Sequence, residues 1–257
     1  NEYVTDCSDI DDIIVFKKDG KMIVTKVASK TFVGKDIIHL AVFKKKDTRT
    51  VYNMMYRDGK GGASYMKRFS VTGVTRDKEY DLTPGKSNTI VHYFTANPNG
   101  EAELVNVYLH AVAKVRNKLF DYDFSELAIK GRTSQGNIVS KHPVRKVDLK
   151  EKGVSTIGGR DIWYEQNIGR LNIHSRGNYL GSFQTEDQIL VIYNNGDYEL
   201  TNHELTNHYA NKEIALIEKF NPKHVLSILH YDGNNKNYYV KRFIIETTTQ
   251  GKRFTFI

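Results

Sequence analysis

The sequence has few of the residues that cross-link small folds or interrupt regular structure. It contains one cysteine, Cys7, and four prolines in 257 residues. A single cysteine excludes an intramolecular disulfide and is typical of proteins in a reducing compartment. No apolar run approaches the roughly 20 residues that a membrane-spanning helix requires. We therefore expect a cytoplasmic protein that has no membrane partner.

The beginning of the chain also lacks a targeting signal. It starts Asn-Glu-Tyr without an initiator methionine, and Asp6, Asp9 and Asp11 make its first residues acidic, whereas a signal peptide is basic and then apolar. The glycine and the distal glutamate of a calcium loop are missing as well. We expect residues 1–11 to be a linker-like end, and the chain to be a fragment of a longer protein.

Helical periodicity is nearly absent, and strand-forming residues are abundant. Only residues 123–129 have a pattern that would give a turn or two of helix. The 16 Tyr and 12 Phe residues suit strands, where broad side chains cover their neighbours on a pleated surface. The sequence therefore predicts an all-β fold.

Short strand patterns alternate with tight turns along the whole chain. In residues 12–27, two β-rich runs flank Asp19-Gly20, a pair that tolerates the positive φ of a tight hairpin. Similar hairpins recur about every 40 residues, which is the spacing of propeller blades. The six predicted hairpins span residues 12–27, 49–69, 89–109, 127–149, 187–200 and 225–245, and the third and fourth turn at 97–100 and 134–137.

Two of these hairpins share a phrase at the same spacing. Tyr-Met-Lys-Arg-Phe at 65–69 follows Asp58-Gly59, and Tyr-Val-Lys-Arg-Phe at 239–243 follows Asp232-Gly233. We interpret the chain as one domain of six four-stranded repeats, with an extra stretch at 162–183 that adds strands to the fourth blade or supplies a strand exchanged with the next. The predicted repeats cover about 12–43, 44–88, 89–126, 127–186, 187–222 and 223–257.

No motif for catalysis or metal binding is present. His203 and His208 are five residues apart beside predicted strands, whereas the zinc-protease motif places its histidines four apart on a helix. The glycine-rich residues 59–64 precede a strand, not the helix of a phosphate-binding loop, although Lys60 at this hairpin tip could touch a DNA phosphate. We expect no catalytic residue, no metal and no cofactor.

Charge is distributed unevenly along the chain. The net charge is +8, with a sequence pI of about 9.3, which favours a polyanionic partner. Residues 43–88 carry eleven Lys or Arg against five Asp or Glu, and residues 110–152 carry ten against five. Residues 185–222 carry two against seven. A basic arc beside an acidic arc predicts that nucleic acid contacts only part of the surface.

The repeat and several phrases resemble the C-terminal domain of the A subunit of bacterial type IIA topoisomerases. The phrases are Asp-Ile-Ile-Val-Phe-Lys-Lys-Asp-Gly-Lys at 12–21, Val-Thr-Gly-Val-Thr-Arg-Asp-Lys-Glu-Tyr-Asp-Leu at 71–82, and Tyr-Val-Lys-Arg-Phe at 239–243. The resemblance covers essentially the whole chain. It is closer to the topoisomerase IV subunit (ParC) than to the gyrase subunit.

This resemblance implies a six-bladed β-pinwheel, a propeller-like disc whose blades exchange a strand and whose basic perimeter bends double-stranded DNA. The gyrase subunit carries a Gln-Arg-Arg-Gly-Gly-Lys-Gly box, and the matching loop at 30–36 keeps only Gly34-Lys35. That departure favours presenting a DNA segment for relaxation and decatenation over wrapping it. The cleavage tyrosine would lie outside this chain, and the partners implied besides DNA are the catalytic A-subunit core and the ATPase B subunit.

The residues expected to neutralise phosphates lie on loops and strands of the first four repeats. They are Lys35, Lys67, Arg68, Arg76, Lys78, Arg116, Lys118, Lys130, Arg132, Lys141, Arg145 and Lys146. Such contacts position a duplex without reading its sequence. Reversing Arg68 and Arg76 is expected to weaken binding and leave stability unchanged. The alternative is a propeller that binds proteins and whose charges only keep it soluble; the Trp-Asp and Gly-His signatures of the commonest such propellers are missing.

Overall fold

The computed structural model of the chain describes residues 3–111 and 115–257. These residues form strands and two short 3₁₀ turns, Phe124–Glu126 and Asn211–Glu213, so the all-β prediction is confirmed. The strands are β1 (Asp12–Lys17), β2 (Lys21–Lys26), β3 (Ile37–Phe43), β4 (Val51–Arg57), β5 (Ser64–Ser70), β6 (Glu79–Asp81), β7 (Ile90–Asn97), β8 (Leu104–Leu109), β9 (Leu119–Asp123), β10 (Ile129–Gly131), β11 (Asn137–Ser140), β12 (Val144–Glu151), β13 (Arg160–Glu165), β14 (Arg170–Asn172), β15 (Asn178–Phe183), β16 (Ile189–Tyr193), β17 (Asp197–Thr201), β18 (Ile214–Lys219), β19 (Leu226–Asp232), β20 (Asn237–Phe243) and β21 (Arg253–Thr255).

The chain divides into two compact units, Asn1–Gly158 and Gly159–Ile257. The first unit contains sheets of strand order β3-β1-β2-β6 (sheet 1), β10-β5-β4-β7 with β11 also on β5 (sheet 2), and β12-β8-β9 (sheet 3). The second contains β14-β13-β15 (sheet 4), β18-β16-β17-β21 (sheet 5) and β19-β20 (sheet 6). Six small sheets agree with the six predicted blades. The predicted single domain over residues 12–257 stays a prediction.

Three sheets take a strand from the repeat that follows them. Sheet 1 is a hairpin of β1 and β2 with β3 on one edge, and its other edge is covered by β6, which comes after the next hairpin. Sheet 5 repeats this order, with β21 arriving after the β19–β20 hairpin. In sheet 2, β10 pairs with β5 in parallel. The fold class is therefore the predicted one: all-β, with six blades of the β-pinwheel type.

Tight turns close the hairpins where the sequence predicts them. Gly20 has a φ of +82° and Gly196 a φ of +87°, a region that residues with a side chain rarely adopt. Each glycine N–H donates across its turn, to the carbonyl oxygen of Lys17 or of Tyr193, at 3.0 Å. The predicted hairpins at 12–27, 49–69, 187–200 and 225–245 are confirmed.

Adjacent sheets pack through alternate faces of their strands. In sheet 2, Tyr52, Met54 and Tyr56 pack against sheet 1, while Met55 and Met66 point the other way and pack against sheet 3. The alternation follows from the two-residue period of a strand. Because β4 and β5 are covered on both faces, they read as nearly continuous buried runs.

Two predicted hairpins are wrong, and the extra stretch at 162–183 lies in the fourth sheet. The turn at residues 97–100 joins β7 of sheet 2 to β8 of sheet 3, so it closes no hairpin. The turn at 134–137 joins β10 and β11, which both pair with β5, while β12 pairs with β8. Residues 162–183 belong to a three-stranded sheet of their own, sheet 4. Local alternation identifies strands, but it does not tell which sheet each one joins.

Candidate nucleic-acid interface

Most of the predicted phosphate ligands lie on the surface of the first unit. The exposed ones are Lys35, Arg76, Lys78, Arg116, Lys118, Lys130, Lys141, Arg145 and Lys146, and Arg132 is half-buried. Four of them are brought together in two pairs, each around the ring of a tyrosine.

The first group, the Tyr80 cluster, consists of Lys78, Tyr80 and Arg132. Strand alternation places Lys78 and Tyr80 on one face of the segment that pairs with β2. The Arg132 guanidinium lies 4.4 Å from the ring centroid of Tyr80, and the Lys78 ammonium lies 5.4 Å from it. Arg132 is held in place because it also donates to the carbonyl oxygen of Gly73 at 2.8 Å.

The hydroxyl of Tyr80 completes this cluster. It accepts a hydrogen bond from the backbone N–H of Thr75 at 2.8 Å. That hydrogen bond, followed by the positive charges of Lys78 and Arg132, lowers the pKa of Tyr80. The two nearby cations add to the effect of the hydrogen bond, and a phosphate would be attracted by the same cations.

The second group, the Tyr108 cluster, consists of Tyr108, Arg145 and Lys146. Tyr108 on β8 lies opposite Lys146 on β12. The Arg145 guanidinium is 5.9 Å and the Lys146 ammonium 6.0 Å from the ring centroid. Lys146 also pairs with Asp148 at 2.7 Å, an exposed ion pair of the kind that contributes little to stability and exchanges readily with other anions.

Two further predicted ligands already have partners. Arg76 pairs with Asp12, with its Nε 2.8 Å from the carboxylate. Lys118 donates to the carbonyl oxygen of Ala111 at 2.7 Å. Both side chains are exposed, and a phosphate would have to compete with Asp12 for the Arg76 guanidinium.

The prediction that Lys67 contacts phosphate is wrong, because its side chain is inside the protein. Lys67 is 2% exposed. Its ammonium donates to the carbonyl oxygens of Leu82, Arg132 (2.6 Å) and Ser134 (2.8 Å). It also lies 4.6 Å above the ring of Phe69. Burial lowers the pKa of Lys67 to about 7, while the carbonyl oxygens and the ring favour the charged form.

The prediction for Arg68 is wrong for the same reason. Arg68 is 1% exposed. Its guanidinium donates to Asn53 Oδ1 at 3.0 Å, to Thr156 Oγ1 at 2.9 Å and to the carbonyl oxygen of Gly100 at 2.8 Å. Adjacent residues of β5 therefore point to opposite faces, and each binds backbone or side-chain groups of the loops and turns that pack on its face. The two side chains position the fold and are out of reach of a duplex.

Sequence reasoning missed the two tyrosines at the centres of the clusters. Lys78 and Tyr80 are two residues apart, so their shared face is readable from a strand pattern. Tyr108 and Lys146 are brought together only by the register of β8 and β12. No local signal in the sequence carries that register.

The acidic arc lies in the second unit, where several carboxylates are paired. Asp187 contacts Lys219 at 2.6 Å, and Glu218 contacts His224 at 2.9 Å. Glu199 accepts a hydrogen bond from the Tyr193 hydroxyl. Glu204 and Glu213 are exposed. The pairing of Asp187 with Lys219 is already included in the residue count, so this arc keeps the negative charge that the count indicates.

The described residues hold no group of three or more potential metal ligands, and they contain no helix long and apolar enough to cross a membrane. A cavity of about 190 Å³ is lined by Lys67, Arg68 and Lys130 among others. Pockets for small molecules are usually about 300–1,000 Å³, so this cavity is small for a nucleotide.

One family model and two solved structures show the similarity of this chain to known proteins. The sequence model of the family described as "Topoisomerase C-terminal domain, Bacteroidota" matches residues 2–152 and 170–257. Among solved structures, the chain is similar to the C-terminal domain of DNA topoisomerase IV, with 12% identity, coverage of 81% of this chain and 79% of that one, and a TM-score of 0.39. It is also similar to the DNA gyrase A C-terminal domain, with 12% identity, coverage of 83% and 84%, and a TM-score of 0.30. No curated protein matches it.

Proposed function

Because the chain belongs to the topoisomerase C-terminal domain family of Bacteroidota, we propose that it binds and bends double-stranded DNA without reading its sequence. It would act as the non-catalytic DNA-binding domain of a type II topoisomerase. The observation that carries this proposal is the exposed basic surface of the first unit, and above all the pairs of cations around Tyr80 and Tyr108.

The partner of each cation explains why these clusters suit DNA. A carboxylate neutralises a lysine or arginine, whereas an aromatic ring attracts the cation and leaves its net charge unchanged. The Tyr80 and Tyr108 rings therefore restrain Lys78, Arg132 and Arg145 with little loss of positive potential, whereas the charge of Lys146 is also offset by Asp148. Restrained side chains lose less conformational entropy when they bind a phosphate.

The remaining candidates are numerous enough for a strongly salt-dependent interaction. Without Lys67 and Arg68, ten of the predicted phosphate ligands remain near or at the surface. If about six of them neutralise phosphates, the logarithm of the binding constant should fall with the logarithm of salt concentration with a slope of about −5. Contacts to phosphate and sugar give position without sequence preference.

A salt-matched titration of two double variants tests this proposal. Arg145→Glu with Lys146→Glu should weaken binding to a duplex of a few dozen base pairs by more than tenfold, and should make the salt slope shallower by about 2, one for each lost contact. Lys212→Glu with Lys223→Glu, which reverses two exposed lysines in the second unit, is the matched control. Equal losses for the two variants would show that net charge, and not this surface, determines binding.

We also propose the topoisomerase IV type of role, in which the domain presents a DNA segment for relaxation and decatenation with the catalytic A-subunit core and the ATPase subunit as partners. Support comes from the loop at residues 30–36, which keeps only Gly34 and Lys35 of the basic gyrase box. A plasmid relaxed by a type I topoisomerase in the presence of the domain should retain few trapped supercoils. Stoichiometric trapping of positive supercoils would instead indicate wrapping of the gyrase type.

A further inference from the structure

The β19–β20 hairpin of the second unit is the counterpart of β4–β5 in the first. Lys241 lies 5.6 Å above the ring of Phe243, as Lys67 lies above Phe69. The Lys241 ammonium donates to the carbonyl oxygen of Phe256 at 2.6 Å. Phe256 directly follows β21, just as Leu82, the partner of Lys67, directly follows β6. The two hairpins can therefore be compared position by position.

In the first unit, both faces of the hairpin are covered. Met55 and Met66 are opposite each other in the register of β4 and β5. Both are fully buried against sheet 3, where Val105 and Phe124 belong to the same core. The face of this hairpin that points away from sheet 1 is thus built to pack against another sheet.

In the second unit, the corresponding face is uncovered in the described part of the chain. Leu229 and Val240 are opposite each other, as Met55 and Met66 are, yet they are 68% and 80% exposed. Beside them are Tyr231 and Tyr238, whose rings are 5.1 Å apart. Tyr238 is 72% exposed. The opposite face of the hairpin packs on sheet 5 through Leu226.

The order of side chains along this face makes it complementary to itself. The tyrosine pair lies at one end, Leu229 and Val240 lie in the middle, and Arg242 lies opposite Ser227 at the other end. A twofold axis through the middle would place Arg242 of one copy over the tyrosine pair of the other. Arginine stacks well on tyrosine rings, and the two guanidinium groups would be at opposite ends of the interface.

We propose that this face, formed by Leu229, Tyr231, Tyr238, Val240 and Arg242, is an isologous interface between two copies of the chain. A twofold interface uses the same patch on both subunits, which is the arrangement that the residue order provides. The contact between the two copies would resemble the packing of Met55 and Met66 against sheet 3. The inference is independent of DNA binding, because none of these residues belongs to the basic surface of the first unit.

The size of the patch sets the expected affinity. With about 200 Å² for a tyrosine and about 120 Å² for a large aliphatic side chain, the exposed fractions amount to roughly 400–500 Å² per copy. That is as large as the largest apolar patch of a typical monomer. It is smaller than the roughly 800 Å² per partner of a standard interface. We therefore expect a weak dimer, with a dissociation constant on the order of 100 µM.

Sedimentation velocity over roughly 5–500 µM, a range that brackets this affinity, tests the proposal on the chain without DNA. The wild-type protein should shift from monomer to dimer. Val240→Glu should abolish the shift, because it places two carboxylates beside the twofold axis. Val154→Glu, at a valine that is 75% exposed in the first unit, should dimerise like the wild type. Arg242→Ala should weaken association by about 5- to 30-fold, since two cation–π contacts are lost.

Three results would overturn this inference. The first is a wild-type chain that stays monomeric at the highest concentration, which would leave the face to a different partner. The second is an equal loss of association in Val240→Glu and Val154→Glu, which would indicate a general effect of charge. The third is tighter association of Arg242→Ala, which would show that the guanidinium groups repel each other. Unchanged circular dichroism of each variant confirms that the fold is intact.

Discussion

Arg68→Met should destabilise the first unit strongly and affect DNA binding little. The guanidinium is 1% exposed and donates hydrogen bonds to Asn53, Gly100, Glu101 and Thr156. Methionine fills much of the same volume but donates nothing. Arg76→Met is the matched control, because Arg76 is exposed and pairs with Asp12 at the surface.

The magnitude follows from what the substitution leaves behind. Asn53 accepts from Arg68 and donates to the carboxylate of Glu103. Glu101 and Glu103 are both buried. Burial lowers the pKa of Arg68, and the nearby carboxylates, first of all Glu103, oppose that shift. Removing the guanidinium leaves several buried acceptors without their donor and takes a positive charge away from two buried carboxylates, which together cost about 3–5 kcal/mol. The Arg76 variant should stay within about 0.5 kcal/mol.

Thermal unfolding followed by circular dichroism measures the difference. For a unit of this size, 1 kcal/mol shifts Tm by about 2–4 °C, so Arg68→Met should lower Tm by roughly 6–20 °C. Duplex binding, measured at a temperature where both variants are folded, should change less for Arg68→Met than for Arg76→Met. An unchanged Tm together with a large loss of DNA affinity in Arg68→Met would refute the reasoning, because it would mean that the guanidinium reaches a phosphate.

Three further predictions concern buried groups and turns. Burial lowers the pKa of His92 to about 4, whereas the pKa of an unfolded histidine is about 6.5. The unfolded state therefore takes up the proton first, and the free energy of unfolding decreases as pH falls from about 6.5 to 4. In urea unfolding at several pH values, His92→Gln should make that decrease shallower. Lys67→Met should lower the free energy of unfolding by about 2–3 kcal/mol, because three carbonyl oxygens lose their donor. Lys241→Met should lower it by at most about 1 kcal/mol, because the exposed Lys241 donates to the carbonyl oxygen of Phe256. Equal losses for the two variants in chemical denaturation would contradict this prediction. Gly196→Ala should cost about 1–2 kcal/mol, because its φ is +87°, whereas Gly233→Ala, where an added Cβ meets nothing within 4 Å, should be close to neutral in the same assay.

Much of the fold was predictable from local patterns in the sequence. Alternating strands and Asp-Gly or Asn-Gly turns identify four hairpins, including β1–β2 and β16–β17. The strands that join another repeat's sheet were not predictable, since β6 and β10 are three residues long. Their pairing is decided by packing between sheets and not by their own residues. The misplaced hairpin at 127–149 includes β10, whereas the one at 89–109 is wrong because β7 pairs with β4 and β8 pairs with β12.

The location of the candidate site stays a prediction. The surplus of basic residues at 43–88 and 110–152 coincides with exposed Lys and Arg side chains in the first unit. Charge counts do not separate a surface lysine such as Lys78 from a buried one such as Lys67. On an ordinary half-buried strand one of two adjacent residues faces water. Because β5 is covered on both faces, neither Lys67 nor Arg68 does.

The repeated Lys-Arg-Phe phrase acquires a structural meaning from its two copies. In both, the lysine lies above the phenylalanine two residues later and donates to the carbonyl oxygen that follows the exchanged strand. The copies differ in burial, since Lys67 is enclosed and Lys241 is exposed. The same contact is therefore present whether the lysine is buried or exposed. The phrase therefore indicates where an exchanged strand is held by its neighbour. A Lys-Arg pair inside such a phrase indicates strand exchange between blades and is not by itself evidence for nucleic-acid binding.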